Sequence, residues 1–168
     1  MGKANSYIGV FDSGVGGISV LRQLRKVLPN ERYLYFGDSI NAPYGTRPVE
    51  QIRELTLAAV EKLVKQDIKA LVIACNTATS AALEALQQTY PDLIVVGIEP
   101  AVAVAANQFS GGHVGVMATP ATLKGARFLA RKAQYESLCK ITPLPAPGLM
   151  ELVEAGKAAS PETEALLR

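Results

Sequence analysis

Short apolar runs alternate along the first half of the chain with segments of helical periodicity. The apolar runs have the length of buried strands and lie at Tyr7–Phe11, Tyr33–Phe36, Ala70–Cys75 and Leu93–Ile98. The helical segments between and after them run from about 18 to 28, 48 to 66, 81 to 90 and 100 to 107. This alternation predicts the α/β class, with a parallel sheet flanked by helices. The carboxyl ends of the strands should then lie along one edge of the sheet.

The second half repeats the plan of the first. Val114–Thr119 resembles Ile8–Ser13, because each has a Gly-Val pair inside an apolar run, then a polar residue and a helical segment. A helix is predicted from about 120 to 134, a strand at Lys140–Leu144 and a helix at Met150–Ala155. We therefore expect two similar lobes, residues 1–98 and 99–168. About 70 residues are few for an independent core, so the second lobe is expected to be incomplete.

The stretch from Ala70 to Tyr90 carries the most distinctive chemistry. Cys75 ends a predicted strand, and a polar cluster separates it from a helix predicted to begin near Ala81. Unpaired N–H groups at a helix start favour negative charge and lower the pKa of a thiol, which would make thiolate available at neutral pH. The alternative is that Cys75 is a small buried hydrophobic residue. This stretch alone leaves both interpretations open.

Two other predicted strands also end in polar residues. Asp12-Ser13 follows the first strand, and its glycine-rich continuation lacks the spacing of a dinucleotide or Walker loop. Asp12 is either a helix cap or an acid at the edge where open α/β sheets bind ligands. Tyr44-Gly45 lies in a loop at 37–46 and offers backbone N–H groups beside an aromatic ring. The alternative for that loop is an ordinary surface connection.

Composition narrows the function classes. The chain has 17 basic and 15 acidic residues, a net charge of +2 and no basic block, which disfavours nucleic-acid binding. No apolar run is long enough to cross a membrane, and the N-terminus lacks a signal-peptide core. Two cysteines, Cys75 and Cys139, form neither a metal motif nor a disulfide framework. We expect a cytoplasmic protein whose site takes a small polar zwitterion without metal or cofactor, and a surface position for His113.

Three motifs resemble the N-terminal motifs of glutamate racemases, members of the amino-acid racemase superfamily. They lie at Asp12–Gly17, Gly37–Gly45 and Ala74–Thr79, in order and correctly spaced. The resemblance runs from about Ile8 to the end of the chain. It implies two α/β lobes with substrate between them and a cofactor-independent interconversion of L- and D-glutamate. That reaction would supply D-glutamate for peptidoglycan synthesis, and hence for cell-wall biogenesis and cell shape.

The resemblance also implies roles for individual residues. Cys75 would be one of two cysteine acid/bases on opposite faces of the α-carbon, facing the α-proton of D-glutamate, and Asp12 would assist it. Glu154 is similar to the acid that the family places beside its second base. The residues expected to bind substrate are Asp12, Ser13, Pro43, Tyr44, Gly45, Asn76, Thr77, Thr119 and Thr122.

One family feature is absent from these 168 residues. The second cysteine of the family lies in a Gly-Cys-Thr-His segment, which does not occur here. Cys139 lies in Ser137–Lys140, which does not match, and is interpreted as structural. The sequence is therefore expected to be an N-terminal portion of a racemase, inactive alone. The alternatives are a non-catalytic glutamate-binding or interaction module and a relative of aspartate racemases. The sequence is compatible with a homodimer.

Overall fold

Strands and helices alternate along the chain, as the apolar pattern predicted. The computed structural model describes residues 6–168, and the α/β class is confirmed. The elements are β1 (Tyr7–Asp12), α1 (Gly17–Val27), β2 (Tyr33–Gly37), α2 (Val49–Val64), β3 (Ile68–Ile73), α3 (Asn76–Thr89), β4 (Ile94–Gly97), α4 (Val102–Gln108), β5 (His113–Ala118), α5 (Pro120–Lys124), α6 (Ala126–Tyr135), β6 (Lys140–Pro145), α7 (Leu149–Glu154) and α8 (Pro161–Leu167). They divide into two units, Met1–Ile98 and Glu99–Arg168.

The order in which the chain adds strands to the sheet of the first unit reverses between β1 and β3. Its strand order is β2-β1-β3-β4 and every pair is parallel. The chain therefore leaves β1 on one side to form β2 and returns to the other side to form β3. Phe11 lies in register with Phe36 on β2 and Ile73 on β3. In open α/β sheets, such a switch leaves a crevice at the carboxyl ends of the two strands, where ligands bind.

An apolar core holds β1 and β3 in place. Val10 and Phe11 on β1 and Leu71 and Ile73 on β3 are fully buried. Helix α2 covers them with fully buried apolar residues such as Ile52. Burial of branched apolar side chains is the main contribution to stability in such a layer. The residues that follow Phe11 and Ile73 are therefore held in place by a well-packed core.

The second unit has a smaller sheet of the same kind. Strands β5 and β6 are parallel, with His113 opposite Lys140 and Ala118 opposite Pro145. Helices α4, α5 and α6 supply the rest of a core formed by Val102, Ala106, Leu123, Phe128, Cys139 and Ile141. Cys139 is 4% exposed within this apolar cluster, which agrees with its structural interpretation. His113 is exposed at the start of β5 and shares a hydrogen bond with the Thr142 hydroxyl.

Two helix boundaries differ from the expected ones. Helix α3 begins at Asn76, not near Ala81, because Cys75 caps it and the polar cluster forms its first turns. The helix expected from 120 to 134 is two helices, separated at Gly125, whose backbone is extended (φ −66°, ψ 140°). Glycine is the weakest helix former of that segment, and it takes the break.

Helix length also bears on membranes. The longest helix among residues 6–168, α2, has 16 residues, whereas a bilayer core requires about 20. None of the helices in this part of the chain has the length and apolar character to cross a membrane.

Candidate active site

Cys75 lies where β3 ends and α3 begins. Its backbone is extended (φ −108°, ψ 119°), and its Sγ accepts a hydrogen bond from the Ala78 backbone N–H at 3.4 Å, as a helix-capping side chain does. The Ser13 hydroxyl lies 3.2 Å from the same sulfur. The residue is only 8% exposed. The thiol therefore lies at the β1–β3 switch point, with a hydroxyl and a helix N–H directed at it.

The protonation of Cys75 differs from the sequence-based expectation. Burial raises the pKa of the Cys75 thiol, and the negative charge of Asp12 raises it further. The hydrogen bonds from Ser13 and Ala78 act in the opposite direction but do not overcome the loss of hydration. The pKa of Cys75 is therefore raised and not lowered, contrary to the effect expected from a helix start alone.

Asp12 combines the two roles that the sequence left open. Its carboxylate is 6% exposed, and its Oδ2 accepts the backbone N–H groups of Gly14 and Gly17, each at 3.1 Å. Gly17 is the first residue of α1, so the carboxylate holds the start of that helix. A Cβ at Gly17 would lie 2.7 Å from the Asp12 Cβ, so only glycine allows this approach. The same carboxylate acts electrostatically on Cys75.

A second buried carboxylate, Asp38, was given no role by the sequence analysis. It directly follows β2, is 4% exposed and donates its backbone N–H to the Asp12 carbonyl at 2.9 Å. The Asn41 side-chain amide donates to both of its oxygens, at 3.0 and 2.9 Å. The Tyr44 phenol donates to its Oδ2 at 2.7 Å. An aspartate directly after a strand, as at Asp12, was the signal that could have found it.

Tyr44 is buried in the loop after β2. It is 2% exposed, and its ring packs against Phe11 with the ring centroids 6.3 Å apart. Burial, the hydrogen bond to Asp38 and the charges of Asp38 and Cys75 raise the pKa of Tyr44 far above its usual range. Tyr44 therefore acts as a neutral hydrogen-bonding group near neutral pH.

The remaining predicted contacts of the first unit lie on the same loop and on α3. The Arg47 guanidinium donates to the Pro43 carbonyl at 3.2 Å and to the Asn41 carbonyl at 2.8 Å, which closes the loop around Gly45. Asn76 is exposed at the first position of α3, and Thr77 beside it is buried. The exposed amide of Asn76 is available to a ligand at the N-terminus of α3.

The second unit carries the other three predicted residues. Thr119 caps α5, and its Oγ1 accepts the Thr122 backbone N–H at 3.3 Å. The two hydroxyls are 3.0 Å apart, and Thr122 is 2% exposed. Glu154 is exposed at the end of α7. Thr119 and Thr122 thus form a local hydroxyl pair after β5, and Thr119 directly follows β5 as Ser13 directly follows β1.

Comparisons with known proteins identify the family of the chain. The family model described as Asp/Glu/Hydantoin racemase matches residues 8–168. The chain belongs to this racemase family. Among its relatives, the glutamate racemase of Clostridium acetobutylicum is 49% identical over 168 residues, which is 100% of this chain and 66% of that protein. The glutamate racemase of Clostridium novyi is 54% identical over 149 residues, which is 89% of this chain and 58% of that protein.

Solved structures of racemases share the fold. Escherichia coli glutamate racemase in complex with L-glutamate and the activator UDP-MurNAc-Ala is 34% identical, with a TM-score of 0.86 over 96% of this chain and 63% of that chain. The Francisella tularensis enzyme in complex with D-glutamate is 31% identical, with a TM-score of 0.84 over 96% of this chain and 61% of that chain. This member of the racemase family thus spans about three-fifths of the length of these structures.

Proposed function

We propose that this chain carries one catalytic half of a glutamate racemase. In this proposal Cys75 exchanges a proton with the α-carbon of glutamate on one face, and Asp12 assists it. The observation that carries the proposal is the convergence of Cys75, Ser13 and the Asp12 charge at the β1–β3 switch point. The similarity to glutamate racemases, two of them solved with glutamate bound, supports the choice of substrate.

The proton chemistry follows from the surroundings of the thiol. Stereoinversion needs one group to remove the α-proton and another to deliver a proton from the opposite face. A Cys75 thiol can deliver a proton, and the thiolate that remains after its proton is lost can accept one, with the bound ammonium group of the substrate offsetting the cost of the negative charge. The Ser13 hydroxyl and the Ala78 N–H then stabilise the thiolate. Cys75 is therefore equipped for both directions of transfer, on one face.

The proposed substrate contacts come from both units. We assign hydrogen bonds with glutamate to Asp12, Ser13, Pro43, Tyr44, Gly45, Asn76 and Thr77 in the first unit and to Thr119 and Thr122 in the second. We assign to Glu154 the role of the acid that the family places beside its second base. The division at Ile98 and Glu99 supports the two lobes, 1–98 and 99–168. D-Glutamate made by the complete enzyme would enter cytoplasmic peptidoglycan synthesis.

The absence of a Gly-Cys-Thr-His segment from the 168 residues supports a second candidate function. In this second case the chain would bind glutamate without exchanging its α-proton. Incubation of the purified chain with D-glutamate in deuterated water distinguishes the two: a catalytic half introduces deuterium at the α-carbon without inversion, and binding alone leaves the α-proton in place. Competition by aspartate in the same assay tests the substrate, because a glutamate site should be little affected by an excess of aspartate.

A further inference from the structure

The loop at 41–47 is held by a buried anion. Asp38 accepts hydrogen bonds from the Asn41 amide and the Tyr44 phenol, and both donors belong to this loop. Its backbone N–H also binds the Asp12 carbonyl, so the carboxylate is anchored to β1. Burying a carboxylate is costly, and a neutral residue would close a turn at lower cost. This cost suggests that Asp38 does more than close a turn.

The partner of Asp38 connects it to Cys75. The single proton of the Tyr44 phenol is donated to Asp38, so towards any other group the phenol oxygen can only accept. The Tyr44 ring packs against Phe11, the residue before Asp12, and the Ser13 hydroxyl that follows Asp12 lies 3.2 Å from the Cys75 sulfur. We propose that Asp38 is a positioning residue of the Cys75 site, because its carboxylate orients the Tyr44 phenol and fixes the loop at 41–47.

This inference rests on the proposed function only in taking Cys75 as the centre of the site. The groups that act on Cys75 are Asp12 and Ser13 after β1 and the Ala78 N–H of α3. The groups that act on Tyr44 are Asp38 and Arg47 of its own loop and Cys75. A change at Asp38 should therefore reach Cys75 by releasing Tyr44 and loosening the loop at 41–47, which we expect to admit water to the thiol. Neither readout below requires racemisation.

The first readout is the ionisation of tyrosine in Asp38→Asn, followed by ultraviolet absorbance in the 168-residue chain. Removing the charge and the charged acceptor lowers the pKa of Tyr44 towards its ordinary value. Burial of the ring remains in the variant, so we expect the ionisation of Tyr44 to begin at lower pH than in the unchanged chain without reaching that of an exposed tyrosine. Asp92→Asn, a change at an exposed aspartate of the same unit, is the matched control and should leave the titration unchanged.

The second readout is the alkylation rate of Cys75 relative to Cys139, measured by peptide mapping against pH. Asp38→Asn should accelerate Cys75 several-fold at neutral pH, because burial is the main reason that its pKa is raised. Cys139 lies in the core of the other unit and reports general loosening. Equal acceleration of both thiols, or an unchanged Cys75 rate, would overturn the proposal even if Tyr44 titrates differently.

A folded variant is needed for either readout. If Asp38→Asn does not fold, Tyr44→Phe removes the same hydrogen bond while retaining the buried ring. Faster alkylation of Cys75 in that variant supports the positioning role, and an unchanged rate overturns it. If the chain proves unable to bind glutamate but these thiol rates change as expected, the proposed function fails and the role of Asp38 stands.

Discussion

Replacing Asp12 should separate its structural role from its electrostatic one. Asp12→Ala leaves the buried N–H groups of Gly14 and Gly17 without their acceptor. Each unpaired buried donor costs about 1–3 kcal/mol, so the loss of both acceptor contacts should lower the free energy of unfolding by about 2–6 kcal/mol. Asp12→Asn retains an oxygen in the same place and exchanges charged hydrogen bonds for neutral ones. Its cost should be about 1 kcal/mol.

Replacing the charge of Asp12 should also change the pKa of the Cys75 thiol. Since the negative charge of Asp12 raises the pKa of Cys75, Asp12→Asn lowers that pKa. Alkylation of Cys75 should therefore be faster at neutral pH in Asp12→Asn, and its pH profile should move to lower pH. Denaturant unfolding and peptide-mapped alkylation measure the two effects on the same samples. Asp67→Asn is the matched control, because Asp67 is exposed and asparagine tolerates its positive φ of 54°.

Two results would refute this reasoning. If Asp12→Asn is as destabilising as Asp12→Ala, the charge itself, and not an oxygen acceptor, holds the start of α1. If the alkylation profile of Cys75 does not move in a folded Asp12→Asn chain, the carboxylate does not act on the thiol. The proposed assistance of Cys75 by Asp12 would then lose its physical basis.

Two further predictions use the same chain. Cys75 should react faster than Cys139 in the folded chain, because Cys75 is 8% exposed at the end of a strand whereas Cys139 is 4% exposed inside an apolar core. The reaction of Cys75 should rise at a pH above the ordinary cysteine range, because burial raises its pKa, and both thiols should react equally in denaturant. Faster labelling of Cys139 would contradict the site assignment. Gly17→Ala should destabilise the first unit by about 1–3 kcal/mol in denaturant unfolding, since its Cβ would lie 2.7 Å from the Asp12 Cβ. Gly16→Ala, whose Cβ would be 3.8 Å from its nearest neighbour, should cost less, and equal effects would exclude crowding as the cause.

The sequence predicted the fold class because apolar runs and helical periodicity reflect which side chains are buried in strands and helices. It also placed Asp12 and Cys75 at strand ends, since parallel strands align those ends on one edge. The direction in which the pKa of Cys75 shifts could not be predicted, because it depends on the balance between burial and hydrogen bonds from Ser13 and Ala78. The partnership of Asp38 with Tyr44 was missed for a similar reason, since it depends on how the loop folds back.

Isotope exchange at the α-carbon tests the central claim about Cys75 most directly. The purified chain is incubated with D-glutamate in deuterated water. The two enantiomers are then separated, and the deuterium content of each is measured by mass spectrometry. A proton removed by Cys75 can return only from the same face, so deuterium should enter D-glutamate without formation of L-glutamate. Cys75→Ala should abolish this exchange, and Cys139→Ala should retain it. Exchange that survives Cys75→Ala, or sustained inversion to L-glutamate, would contradict the account.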